Sequence, residues 1–104
     1  MLLLNIDSIP GKKIEPLTIV KGSVVQSKNF GKDFMAGMKT LVGGEVVAYT
    51  EMLSEARQIA VGRMVKEAEA LGADAVVCLR FASSSVMQGA AECIAYGTAV
   101  KFLQ

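Results

Sequence analysis

Apolar positions recur with strand-like spacing at both ends of this chain and with helical spacing in the middle. Leu2–Ile6 is a short apolar run and predicts a first strand. Pro10-Gly11 marks a turn. The stretch 14–27, rich in Ile, Val and Thr, predicts a second strand, with Gly22 as a bulge or bend. Pro16 near its start suits an edge position, where no ladder N–H is required. Phe30, Phe34, Met38, Leu41 and Val42 then recur at helical spacing and predict a short helix over 30–42, capped by Asn29 and ended by Gly43-Gly44. Tyr49, Leu53, Ala56, Ala60, Met64, Ala68 and Leu71 form one apolar stripe at a 3.6-residue period, with Glu51, Glu55, Arg63, Lys66 and Glu69 on other faces. Gly72 stands where a left-handed C-cap belongs.

Residues 74–86 and 91–103 predict a hairpin around Gln88-Gly89. In an uninterrupted register, Val77, Leu79 and Phe81 share a face with Ile94, Tyr96, Val100 and Phe102. That bulky face is expected to pack under the helices. The other face, Val76, Cys78, Arg80, Ala82, Cys93, Ala95, Gly97 and Ala99, is small and nearly uncharged, and is the expected oligomer surface. The predicted order is β-β-α-α-β-β: an α+β fold, one compact domain over residues 1–104, with an antiparallel sheet and two helices on one face.

Composition adds a reason to expect self-association. The chain is 52% hydrophobic, and a domain of about 100 residues buries only roughly two-thirds of its unfolded surface. Part of the apolar excess stays outside a lone chain, where a large patch marks an interface. The net charge is +1, and no basic run exceeds Lys12-Lys13, so nucleic acid is not an expected partner. The opening Leu2-Leu3-Leu4 lacks a basic flank and ends well short of the ~7–15 apolar residues of a signal core. No stretch approaches the ~20 apolar residues of a membrane span. The expectation is a cytoplasmic protein without membrane or nucleic-acid partners.

Candidate chemistry is sparse. Histidine is absent, which removes every Ser-His-Asp and Cys-His arrangement. Gly43-Gly44 reads as an inter-helix turn rather than a phosphate cradle. The chain is therefore expected not to be an enzyme. Cys78 and Cys93 are the only thiols, at a spacing that matches no zinc template. In the register above they lie roughly 20 Å apart, at ~3.4 Å per residue. They are expected to be small buried hydrophobes; a soft or transition metal, or a thiol-redox role, would need copies of one cysteine brought together across subunits. Glu51 and Glu55, one helical turn apart, read as a solvated face, with a carboxylate acid/base pair as the alternative. Met35, Met38, Met52 and Met64 read as core. Tyr49 reads as core with its hydroxyl reaching a partner. Arg80, mid-strand on a small face, needs a partner or solvent. An intersubunit ion pair, plain exposure and anion binding all remain open for it.

With these positions in place, the chain resembles the YbjQ-like family, whose members carry the label "putative heavy-metal-binding". The resemblance rests on Ile9-Pro10-Gly11 with Ile19-Val20-Lys21-Gly22, on Leu41-Val42-Gly43-Gly44 followed by Tyr49 and Ala56-Arg57, on Leu71-Gly72-Ala73-Asp74-Ala75-Val76-Val77, and on Gly97-Thr98-Ala99-Val100. It implies a dodecin-like α+β subunit in a homopentamer, from a bacterial or archaeal cytoplasm, with an undetermined biochemical role. It supplies no ligand motif that transfers residue by residue. Cys78 stands where the family pattern has glycine, and Glu45 where a basic residue is more familiar.

Overall fold

The fold is set by how closely a helix can approach a sheet. The computed structural model describes residues 1–27, 42–87 and 90–103, with side chains at all of these except 27 and 42–49. Its elements are β1 (Leu2–Leu3), β2 (Lys13–Ser27), α1 (Val42–Ala70), β3 (Ala75–Met87) and β4 (Ala90–Leu103). The four strands form one sheet in the order β1-β3-β4-β2. β4 is antiparallel to both β2 and β3, but β1 runs parallel to β3. The sheet is therefore mixed rather than antiparallel throughout, because α1 returns the chain to the β1 side before β3 begins. Of the two expected helices, only α1 falls in the described residues; the stretch 28–41, with Asn29, Met35 and Met38, lies outside them, as does the Gln88-Gly89 turn.

Gly43-Gly44 is not an inter-helix turn. Its backbone is already helical, in the first turn of α1. At 29 residues α1 is about 43 Å long, taking ~1.5 Å per residue. Its other end follows the sequence closely. Gly72 takes φ 72°, Gly72 N–H donates to Glu69 O at 3.0 Å, and Ala73 N–H donates to Ala68 O at 3.1 Å. These two bonds satisfy carbonyls that the last turn would leave open, in a Schellman cap. Two residues on, the Asp74 carboxylate accepts from Phe102 N–H at 2.8 Å, which ties the start of β3 to the end of β4.

Met52, Ala56, Ala60, Met64 and Ala68 form the buried stripe of α1; Leu53 and Leu71, also assigned to that stripe, are exposed. Ala56, Ala60, Met64 and Ala68 of this stripe pack on Val20, Val24, Val76, Cys93, Ala95 and Ala99. The helix thus covers the small face of the sheet, not the bulky one, which reverses the expected arrangement. Gly22 gives the reason. It pairs regularly with Ala95, without a bulge, and a Cβ there would collide with the helix backbone at Ala60 and Met64. The actual irregularity in β2 falls between Pro16 and Thr18. Alanines on the helix and glycine or alanine on the sheet let the two backbones meet, and bulky side chains at those positions would hold them apart.

β2 is an edge strand, as Pro16 suggested. Its outer backbone groups are partly capped by α1: Glu67 Oε1 accepts from Lys21 N–H at 3.3 Å, and Arg63 Nη1 donates to Ser23 O at 2.6 Å. The opposite face has a thinner cover. The N-terminal segment carries Leu4 and Ile9 onto Ala75, Val77, Val100, Ile14 and Phe102. It then turns at Ile9-Pro10-Gly11-Lys12, where Gly11 has φ 80° and Lys12 N–H donates to Ile9 O, as a type II turn requires. Lys12 Nζ sits 4.8 Å from the Phe102 ring centroid, over that end of the sheet.

Along the strands the chain is drawn out. The principal extents are 58 × 23 × 17 Å and the radius of gyration is 17.2 Å, against roughly 13 Å for a globular domain of about 100 residues.

Candidate functional site: the open face of the sheet

Two bulges decide which side chains reach the uncovered face. The β3–β4 ladder begins at Met87↔Ala90, as the hairpin predicts, but the register shifts between Ser85 and Met87 and again between Val77 and Arg80. In the second bulge Cys78 takes φ 57°, a left-handed conformation in which a non-glycine residue is uncommon. That is the position where the resemblance to the YbjQ-like family leads one to expect glycine. The N-terminal segment takes up the backbone groups that the bulge removes from the ladder. Cys78 N–H donates to Ile6 O and Leu79 N–H to Leu4 O, each at 3.0 Å.

The bulge also moves side chains between faces. Leu79 joins the cluster beneath α1, while Cys78 packs on the other side with the Val77 and Val100 cluster. Arg80 pairs directly with Tyr96, on the open face rather than the small one. One Arg80 nitrogen, Nη1, donates to Asn5 O at 2.7 Å and to Leu79 O at 3.1 Å. No carboxylate among the described residues lies in ion-pair contact with it.

Ile19, Cys78, Arg80, Tyr96, Gly97 and Thr98 surround a depression of about 280 Å³ on this face. Its size is just below the ~300 Å³ at which drug-sized ligand pockets begin, and its walls mix apolar surface with a few polar groups. Ile19, on the edge strand β2, is 69% exposed and leaves an apolar side chain open to solvent beside Tyr96. Gly97 supplies backbone only, because a Cβ there would come within 2.7 Å of Val76 Cγ1. On the far side of Tyr96 from Arg80, Lys21 pairs with Tyr96 across the β2–β4 ladder.

The other candidates lie elsewhere. Glu51 and Glu55 are exposed on α1, and the sheet separates them from the depression. Tyr49 is helical, but its side chain lies outside the described residues. Cys93 is buried beneath α1, and Cys78 lies on the other side of the sheet; both are free thiols. Among the described residues no three His, Cys, Asp or Glu side chains gather into a metal-binding group. Among the described residues, therefore, no site within one chain fits a heavy metal: the depression offers it one thiol and a guanidinium beside it. Sequence reasoning missed Ile19, Lys21, Tyr96 and Thr98. The alternation along β4 did put Tyr96 on the bulky face, but the expected helix cover hid its significance.

No helix among the described residues is long and apolar enough to cross a membrane. Comparison with known proteins gives a consistent answer on lineage. The chain is 64% identical over 103 residues to a UPF0145 protein of Clostridium novyi, spanning 99% of this chain and 100% of that one. It is 60% identical to a UPF0145 protein of Alkaliphilus metalliredigens, with coverage of 99% and 100%. A crystal structure of a protein with unknown function from Pediococcus pentosaceus, placed in the DUF74 family, shares the fold with TM-score 0.65 at 14% identity, over 99% of this chain and 98% of that one. The family profile described as "Putative heavy-metal-binding" matches residues 1–103, and the chain belongs to that YbjQ-like family.

Proposed function

We propose that this protein is a self-associating, non-enzymatic binding module of the bacterial cytoplasm, whose ligand site is the depression on the open face and whose protein partner is further copies of itself. The strip Phe81–Met87 carries this reading. All seven of its residues are exposed, none is charged and none is proline. Phe81, Val86 and Met87 are 46%, 48% and 67% exposed. β1 pairs only with Ala75 and Val76, so among the described residues no strand lies beside the outer edge of β3 beyond Arg80. Single-chain proteins guard such edges with lysine, proline or a covering element. β2 has these guards, in Lys13, Pro16, Lys21 and the caps from Arg63 and Glu67. The contrast within one sheet supports the reading that another copy covers the β3 edge.

Five copies is the number that the family resemblance implies, and a ring of five needs head-to-tail contacts. Native mass spectrometry at micromolar concentration tests the reading. A five-chain mass is expected, and Phe81→Lys combined with Val86→Lys is expected to shift it to single chains. A wild-type protein that runs as a single chain overturns it. The soft-metal alternative now depends on Cys78 alone, brought together from several copies at the ring. If Cys78→Ser takes up as much zinc or copper(I) as the wild type in the same spectra, that alternative ends.

A further inference from the structure

The charges around the depression select the sign of what it holds. Arg80, Tyr96 and Lys21 stand side by side on β3, β4 and β2, in one row across the open face. Directly opposed side chains in a sheet have Cβ atoms ~5 Å apart, so both cations flank the same ring. Asp7, two residues beyond Asn5 on the segment that anchors Arg80, makes no ion pair with it among the described residues. Glu92 is the carboxylate that β4 places on this face, and it lies four residues from Tyr96, roughly 14 Å at ~3.4 Å per residue. Arg80 is also anchored in a way that leaves it half free. Nη1 is spent on the carbonyls of Asn5 and Leu79, which fixes the guanidinium plane, while no described group takes the remaining N–H donors. A fixed guanidinium with open donors is the group that best holds a carboxylate or phosphate.

We propose that the depression binds a small organic anion rather than a metal cation. Its acidic group is held by Arg80, its apolar body lies against Tyr96 and Ile19, and Lys21 on the far side of Tyr96 adds positive charge at the rim. The inference rests on reading the depression as the ligand site, and it adds the chemical class of the ligand. A cation entering here meets the Arg80 guanidinium, the nearby Lys21 charge and a single thiol, whereas an anion meets a fixed guanidinium with open donors and an aromatic surface. The approximate volume of 280 Å³ limits the ligand to a small molecule.

The test uses 4-fluorobenzoate and its neutral isostere 4-fluorobenzamide, each titrated into the intact protein and followed by fluorine NMR. Native mass spectra of the same samples report assembly. Binding of the benzoate about tenfold tighter than the benzamide is expected, the margin that one charge-assisted contact supplies. Arg80→Gln is expected to remove that margin. Lys21→Met, whose side chain makes no described contact within the fold, is expected to reduce it severalfold. Equal binding of the two probes overturns the proposal. So does benzoate that stays free at millimolar concentration, or a margin unchanged in both variants. If Arg80→Gln falls apart into single chains while Lys21→Met keeps full benzoate binding, Arg80 holds a neighbouring copy's carboxylate; the anion proposal then fails and self-association stands. A wild-type single chain that still prefers the benzoate supports the anion site and overturns self-association.

Discussion

The two faces of this sheet are made from opposite kinds of residue, and the smaller-residue face is the one that is buried. Under α1 lie Val20, Gly22, Val24, Cys93, Ala95 and Ala99, matched by Ala56, Ala60 and Ala68 on the helix. On the other side, Ile19, Lys21, Ile94, Tyr96 and Arg80 stand partly or largely exposed. A rule based on bulk would have reversed them. What decides the matter is approach distance: a helix lies on a sheet most tightly where neither surface projects, so that each buried atom gains many close neighbours. The bulky face is then left for other uses. Its exposed apolar groups and unmatched cations contribute little to holding one chain together, and they are available to a ligand or to another copy.

The strongest way to break this comparison is to add bulk where the small face meets the helix. Gly22→Val forces a side chain into the backbone at Ala60, and is expected to cost about 3 kcal/mol or more, at the upper end of overpacking effects. Urea denaturation measures it directly. An unchanged midpoint would mean that the helix does not rest on Gly22 at all. Of intermediate size is Cys78. Because its φ is positive, Cys78→Val is expected to lose about 1–2 kcal/mol, while Cys78→Gly stays within about 1 kcal/mol of the parent. If valine were tolerated as well as glycine, the bulge that turns Arg80 toward the open face would not be what the register implies. The smallest effect belongs to the open side. Lys12→Gln removes the cation over Phe102 and is expected to lower stability by about 0.5 kcal/mol, visible as a slight drop in the thermal midpoint.

Much of the fold was legible in the residues. The Gly72 cap, the buried Ala56-Ala60-Met64-Ala68 stripe, the edge role of β2 and the hairpin join at Met87 and Ala90 all follow from local rules on caps, period and proline. The helix start was misread because Gly43-Gly44 is a turn signal locally, yet its backbone is held helical. The candidate site was legible only in part. Arg80 and Cys78 were singled out, but on the wrong face and without Tyr96, Ile19 or Lys21 beside them. The reason is a single-residue shift. A strand has a period of two, so one bulge sends every later side chain to the opposite side. Nothing in the run Val76-Val77-Cys78-Leu79-Arg80 announces that bulge.

By itself, then, the sequence determined the element types, the helix cap, the hairpin and the division of β4 into a small and a bulky face, because each depends on neighbours within a few positions. It also determined the family, through motifs spread along the whole chain. Only the tertiary structure decided that the small face lies under the helix, that β1 joins in parallel, and that Arg80 meets Tyr96 over an open depression. Those outcomes depend on contacts between distant segments. The N-terminal segment that follows β1 must supply Leu4 and Ile6 carbonyls to hold the bulge, and the helix must find Gly22 before it can settle. Close packing and backbone hydrogen-bond pairing across long separations act on the folded chain as a whole, and no local stretch carries their result.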